Sequence, residues 1–130
     1  MTSTNESSLS VTSQDFADCT LVSVNGRVDH TNSDRFLTEL GSVSEGVSKN
    51  GGMVVDLSGL EFITSAGLRA LLLAQRTVNM SGGKLVVCGI SGVVKEVFRI
   101  SKFDALLSVS DETNEAVGMI SGAAAEAFSS

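Results

Sequence analysis

Thr64-Ser65-Ala66-Gly67 follows the apolar pair Phe62-Ile63 and precedes Leu68, Leu71 and Leu72 at helical spacing; no other stretch points so sharply to chemistry. Ser65 is read at the start of a helix, where a Ser hydroxyl accepts a bond from a backbone N–H one turn in. Ala66 and Gly67 carry almost no side chain, so the helix start is sterically bare and another backbone or an active site can approach it closely. A glycine in the first turn is destabilising by about 1 kcal/mol relative to alanine, which a plain cap does not explain. Free N–H groups and the positive pole of the helix macrodipole also favour an anion here. The chemistry on offer is acceptance of a phosphoryl group or close docking. Hydrolysis fits poorly, because a nucleophile elbow requires glycine two residues before and two after the serine. Gly67 fits that pattern and Ile63 does not; His30, the only histidine, precedes Ser65, opposite to the chain order of that fold.

Asp29 and Asp56 fall at expected strand ends on one rim, where two acids near a hydroxyl can bind Mg²⁺ or act as acid and base. The reading favoured is that they order loops, with Asp56-Leu57-Ser58-Gly59 a polar turn after a buried strand. His30 beside Asp29 reads as a surface residue. Gly89-Ile90-Ser91-Gly92 lacks the Gly-Lys-Ser/Thr ending of a phosphate-binding loop and reads as a strand-to-helix turn with a Ser cap. Lys95, Arg99 and Lys102, at i, i+4 and i+7, describe a solvated helix face.

Composition narrows the field. A chain of 130 residues with 42% hydrophobic and 18% charged residues is one folded domain rather than a disordered segment. One His and two Cys make three soft ligands, short of the about four a Cys/His zinc site needs, and no metal, cofactor or enzymatic activity is expected. There is no Trp or Tyr, and the six Phe sit mostly at core-like spacings, so no aromatic platform for single strands is available. Net charge is −6, and residues 1–65 hold nine acids against three bases. Such a chain repels phosphate backbones and anionic membranes, which excludes nucleic acid and membrane surfaces as partners. Cys19 and Cys88 lie within apolar runs and read as buried free thiols in a reducing compartment. Residues 1–8 lack the regions of a signal peptide and no apolar run approaches ~18 residues, so the expected address is cytoplasmic.

The elements that must position these residues follow from periodicity. Residues 1–8 are a polar tail expected to be disordered. Leu9–Thr12 and Cys19–Val24 read as two strands joined by a turn, after which Gly26-Arg27-Val28-Asp29 leads into a loop. Phe36, Leu37, Leu40, Val43 and Val47 mark a helix face, with Thr31 and Asp34 as a cap pair. Met53–Leu57 is a buried strand, the helix opened by Ser65 is marked by Leu68, Leu71, Leu72, Gln75 and Val78 and stopped by Met80-Ser81-Gly82-Gly83, and Lys84–Cys88 is the next buried strand. Val93, Val94, Val97 and Phe98 form a third helix, Leu106–Val109 a last strand, and Asp111 caps a final helix carrying Ala116, Val117 and Ile120; residues 121–130 are a tail. Strands alternating with helices after a hairpin imply an α/β domain with a mainly parallel sheet, its sites beyond the carboxyl ends of the strands.

Gly26-Arg27-Val28-Asp29, Val54-Val55-Asp56-Leu57-Ser58, Phe62-Ile63-Thr64-Ser65-Ala66-Gly67-Leu68-Arg69-Ala70-Leu71-Leu72 and Leu85-Val86-Val87-Cys88-Gly89 resemble the sulphate-transporter and anti-sigma-factor-antagonist (STAS) domain, specifically its stand-alone bacterial anti-sigma factor antagonists. The likeness runs from about residue 9 to 120. It implies a STAS-like single domain, a mixed sheet of four or five strands with about four helices, and a reversible phosphorylation site on Ser65, with Thr64 the alternative. It implies a partner-binding surface on Asp29, Ser58, Thr64, Ser65, Ala66, Gly67 and Arg69. The implied partners are an anti-sigma factor with serine kinase activity of the ATP-binding GHKL type and a PP2C-like phosphatase; the unphosphorylated antagonist binds the anti-sigma factor and frees the sigma factor. Thr64 stands where the best-known antagonists have Asp, which removes a carboxylate and offers a second hydroxyl. The alternative the same block allows is a non-phosphorylated STAS scaffold subunit of a transport or stress-sensing complex.

Overall fold

The computed structural model describes residues 9–120; the two expected tails, 1–8 and 121–130, lie outside them. In chain order the elements are β1 (Leu9–Phe16), β2 (Cys19–Val28), α1 (Ser33–Glu45), β3 (Gly52–Ile63), α2 (Ser65–Met80), β4 (Lys84–Cys88), α3 (Gly92–Ile100), the single turn α4 (Phe103–Leu106), β5 (Ser108–Ser110) and α5 (Thr113–Ile120). The strands lie side by side in the order β1-β2-β3-β4-β5. β1 runs antiparallel to β2 through a two-residue turn, and the remaining pairs are parallel, as strands joined by helical crossovers must be. The expected α/β architecture, a mixed sheet with helices between strands, is the one found.

Alternation along the strands divides the core. Val22 and Val24 of β2, Met53, Val55 and Leu57 of β3, and Leu85 and Val87 of β4 face the side covered by α1, α2 and α3, where Phe36, Leu40, Leu68, Leu71, Val94 and Phe98 are buried. Cys19, Leu21, Val54, Val86 and Cys88 face the other side, where α5 lays Ala116 and Val117 over them. The runs Met53–Val55 and Leu85–Cys88 are apolar without a break because both faces are covered. Both cysteines are buried and free, as expected.

Several local expectations are corrected. The second strand, read as Cys19–Val24, continues through Gly26–Val28 before the loop begins. Asp56-Leu57-Ser58-Gly59 is not a turn: β3 continues to Ile63 by way of two irregularities in its pairing with β2, between Ser23 and Asn25 and between Gly26 and Arg27, each inserting one residue into β3. α1 begins at Ser33 with Asn32 at its N-cap, so Thr31 and Asp34 form no cap pair. Phe103–Leu106 turns as a short helix before β5, and α5 starts at Thr113, beyond Asp111. Among the described residues no helix is long and apolar enough to cross a membrane.

Candidate functional site

The carboxyl ends of β2 and β3 are held together where α2 begins. The Thr64 N–H donates to the Val28 carbonyl at 3.1 Å, which ends β3 and leaves Thr64 in an extended conformation, with φ −87° and ψ 170°. From there the Thr64 hydroxyl oxygen accepts the Gly67 N–H at 3.3 Å and the Thr64 carbonyl accepts the Leu68 N–H at 3.0 Å. Thr64, not Ser65, is therefore the N-cap. Ser65 is the first helical residue; its side chain is exposed and its hydroxyl forms no hydrogen bond among the described residues. Ala66 and Arg69 are also exposed, whereas Gly67 is buried. A Cβ on Gly67 would lie 2.7 Å from Cγ1 of Ile63 and 2.8 Å from Cγ1 of Val28. The missing side chain lets α2 settle on the two strand ends, so Gly67, expected on the docking surface, faces inward.

Asp29 follows β2 directly. Its carboxylate accepts the Thr31 N–H at 2.9 Å and the Thr31 hydroxyl at 2.5 Å. The hydroxyl first, then the N–H, holds the Asp29 carboxyl below its ordinary range. Behind this loop the buried Asn32 side chain accepts the Asp29 N–H at 2.9 Å and donates to the Arg27 carbonyl at 3.0 Å. His30 is exposed, as expected. Asp56 does not join Asp29. It sits within β3, paired with Cys88, and its carboxylate accepts the Ser58 N–H at 2.9 Å and the Thr113 hydroxyl at 3.3 Å, tying β3 to α5. Among the described residues no group of three or more His, Cys, Asp or Glu side chains is placed to hold a metal ion. Ser58 is exposed on the bulged part of β3. Gly89, at φ +74°, passes so close that a Cβ on it would lie 3.0 Å from the Ser58 Cβ and backbone nitrogen. Ser91 opens α3 without using its side chain as a cap.

Asp29, Ser58, Thr64, Ser65, Ala66 and Arg69 thus lie on segments that continue or border the carboxyl ends of β2 and β3, the side of the sheet where α/β sites form. One pair was not expected there: the exposed Arg27 guanidinium stacks over the half-buried Phe62 ring at 5.0 Å. The two residues face each other only because both insertions in β3 precede Phe62, and no spacing in the sequence announces that. A shallow groove lined by Leu72, Gln75, Arg76, Asn79 and Met80 runs along the far half of α2, two turns or more from Ser65.

A small α/β sheet whose second helix presents a free serine at its first position defines a class, and sequence comparison identifies it. The STAS domain family profile matches residues 10–116, and the chain belongs to that family. A curated relative, "Putative anti-sigma factor antagonist BtrV" of Bordetella bronchiseptica, is 35% identical over 92 residues, spanning 70% of this chain and 77% of its own. Among solved structures, an anti-sigma factor antagonist from Mycobacterium paratuberculosis superposes with a TM-score of 0.77 at 19% identity, covering 87% of this chain and 94% of that one. The Bacillus cell fate determinant SpoIIAA in its phosphorylated form superposes with a TM-score of 0.61 at 16% identity, covering 85% and 98%. At these identities the structures attest the shared fold.

Proposed function

We propose that the protein is an anti-sigma factor antagonist whose docking is gated by phosphorylation of Ser65. Unphosphorylated, it binds an anti-sigma factor with GHKL-type serine kinase activity through a rim comprising Asp29, Ser58, Thr64, Ser65, Ala66 and Arg69, and the sigma factor is released. The kinase then transfers the γ-phosphoryl group of ATP: the bond from Ser65 Oγ to phosphorus forms as the bond to the ADP oxygen breaks, and the serine proton passes to a kinase base. A PP2C-like phosphatase restores the hydroxyl. The protein acts by binding, in the cytoplasm, and its net charge of −6 fits a protein partner better than nucleic acid or an anionic membrane.

The observation that carries this reading is the division of labour between adjacent hydroxyls. Thr64 Oγ1 is engaged by the Gly67 N–H, so the exposed Ser65 hydroxyl is the one left for a kinase. Thr and Asp are both good N-caps, so Thr64 can do the structural work of the Asp found before the phosphoserine in the antagonists this chain resembles. A phosphate at the first helical position adds −1.5 to −2 charge beside free N–H groups, which accept it without unfolding α2. An interface that closes over it must desolvate that charge, and a penalty of ~3–4 kcal/mol lowers affinity by roughly 150- to 900-fold.

Pull-down from native lysate with Ser65→Ala and Ser65→Asp baits tests the gate. The Ala variant is expected to retain a kinase-type partner that the Asp variant loses by at least ~100-fold; equal capture by both sinks the idea. Intact mass of the chain isolated from its own cells should show the increment of one phosphate, absent in Ser65→Ala. No such increment in any growth condition is the outcome expected of a non-phosphorylated scaffold subunit.

A further inference from the structure

Helical arginines in this molecule are paired within their own helices on α1 and α3, but not on α2. On α1, Arg35 reaches Glu39 four residues on at 2.9 Å, and on α3, Arg99 reaches Glu96 three residues back at 2.7 Å. Residues three and four apart are the neighbours on a helix surface. For Arg69 those are Ser65, Ala66, Leu72 and Leu73; for Arg76 they are Leu72, Leu73, Asn79 and Met80. No acid stands at any of these positions. Arg69 is exposed and forms no ion pair or hydrogen bond among the described residues, and the one neighbour able to acquire negative charge is Ser65, exposed one turn away. Arg76 has no hydroxyl at any of its four positions.

We propose that Arg69 is the built-in counter-charge of modified Ser65: a phosphate on Ser65 is gripped by the Arg69 guanidinium across one turn of α2. This rests on the reading of Ser65 given above and adds how the modified state is held. The order is the favourable one, anion first and cation at i+4, running with the macrodipole, and a planar guanidinium matches phosphate oxygens in two parallel bonds. Modification then changes the docking rim twice, by placing a dianion at residue 65 and by withdrawing the guanidinium of residue 69 from a partner. Arg69 is in this sense a positioning residue for the phosphate.

The test uses the full chain with phosphoserine encoded at position 65 during translation, so that no kinase is required. The second ionisation of the phosphate, near pH 6 in a free phosphoserine, is followed by phosphorus NMR. At low salt its midpoint is expected to lie about 0.15–0.4 pH unit lower with Arg69 than in Arg69→Gln. Arg69→Lys should recover most of the difference, and Arg76→Gln should match the unsubstituted chain. The difference should fade near ~1 M salt, where the Debye length is about 3 Å. Equal midpoints for Arg69 and Arg69→Gln overturn the proposal, including the case in which both are lowered together by the helix start. A natural protein that never carries phosphate would overturn the reading of Ser65 and leave this titration decisive for Arg69.

Discussion

Gly67 shows how closely single residues are specified at the start of α2. Alanine there gains about 1 kcal/mol of helix propensity, but its Cβ would meet Ile63 and Val28 below 3.0 Å. Both neighbours are buried and branched at Cβ, hence stiff about χ1, and overpacking of this kind costs typically ~1–3 kcal/mol. Packing therefore outweighs propensity, and Gly67→Ala is expected to destabilise the fold by about 1 kcal/mol. A lower urea midpoint at unchanged slope checks this, and a raised midpoint would mean that the strand ends yield. The same contact explains why the glycine read from sequence as a bare docking spot: a residue without a side chain looks alike whether the space it leaves is filled from inside or outside. The sequence likewise points to Ser65 as the cap, whereas the hydrogen bond from the Thr64 N–H to Val28 sets the first residue of the helix and leaves the cap to Thr64.

At the scale of elements, the loop from Asp29 to Asn32 is organised by one buried amide. Asn32 satisfies the Asp29 N–H and the Arg27 carbonyl together, so it stiffens the exit of β2 beside Ser65. Asn32→Ala leaves both backbone groups without that partner and is expected to cost about 2–3 kcal/mol, visible in thermal or urea unfolding; a loss below about 0.5 kcal/mol would show that water replaces the amide. Residue pattern alone puts Asp29 at a strand exit but does not announce this staple, because Thr31 and Asp34 offer a more familiar cap pattern. The full length of β3 is hidden in the sequence for a comparable reason. Its buried residues Leu57, Leu60 and Ile63 are spaced by three, since the two inserted residues break the period of two on which a strand is recognised. Gly59 within this stretch resembles a turn residue. Its role is close approach, as a Cβ there would collide with the Asn25 side chain.

For the whole molecule, the two thiols set an alkaline limit. Cys19 and Cys88 lie in the cluster under α5, and burial first of all pushes both up to about 11 from 9.0. The folded values exceed the unfolded ones, so this contribution is fully present below pH 9 and is lost as pH rises towards 11. Two units amount to roughly 3 kcal/mol per thiol at most. Unfolding free energy measured from pH 8 to 11 should fall steeply, and a Cys19→Ala/Cys88→Ala double variant should fall less; identical profiles would contradict the assignment. On the acid side the sign reverses. The Asp29 carboxyl is held low by Thr31, so its contribution is present above the unfolded value and is lost as pH falls through the folded one.

The alternation of strands and helices, the buried cysteines and the block around Ser65 were legible from the chain alone, because residue type and periodicity act over a few residues. They determined that a hydroxyl and small side chains open the second helix of an α/β domain. Only the tertiary structure decided which hydroxyl is engaged and which is free, that Gly67 serves the interior, and that Arg27 meets Phe62. The physical reason is shared by all three: each depends on the register between β2 and β3, strands separated in sequence by α1, and a shift of one residue in that pairing would exchange the inward and outward sides.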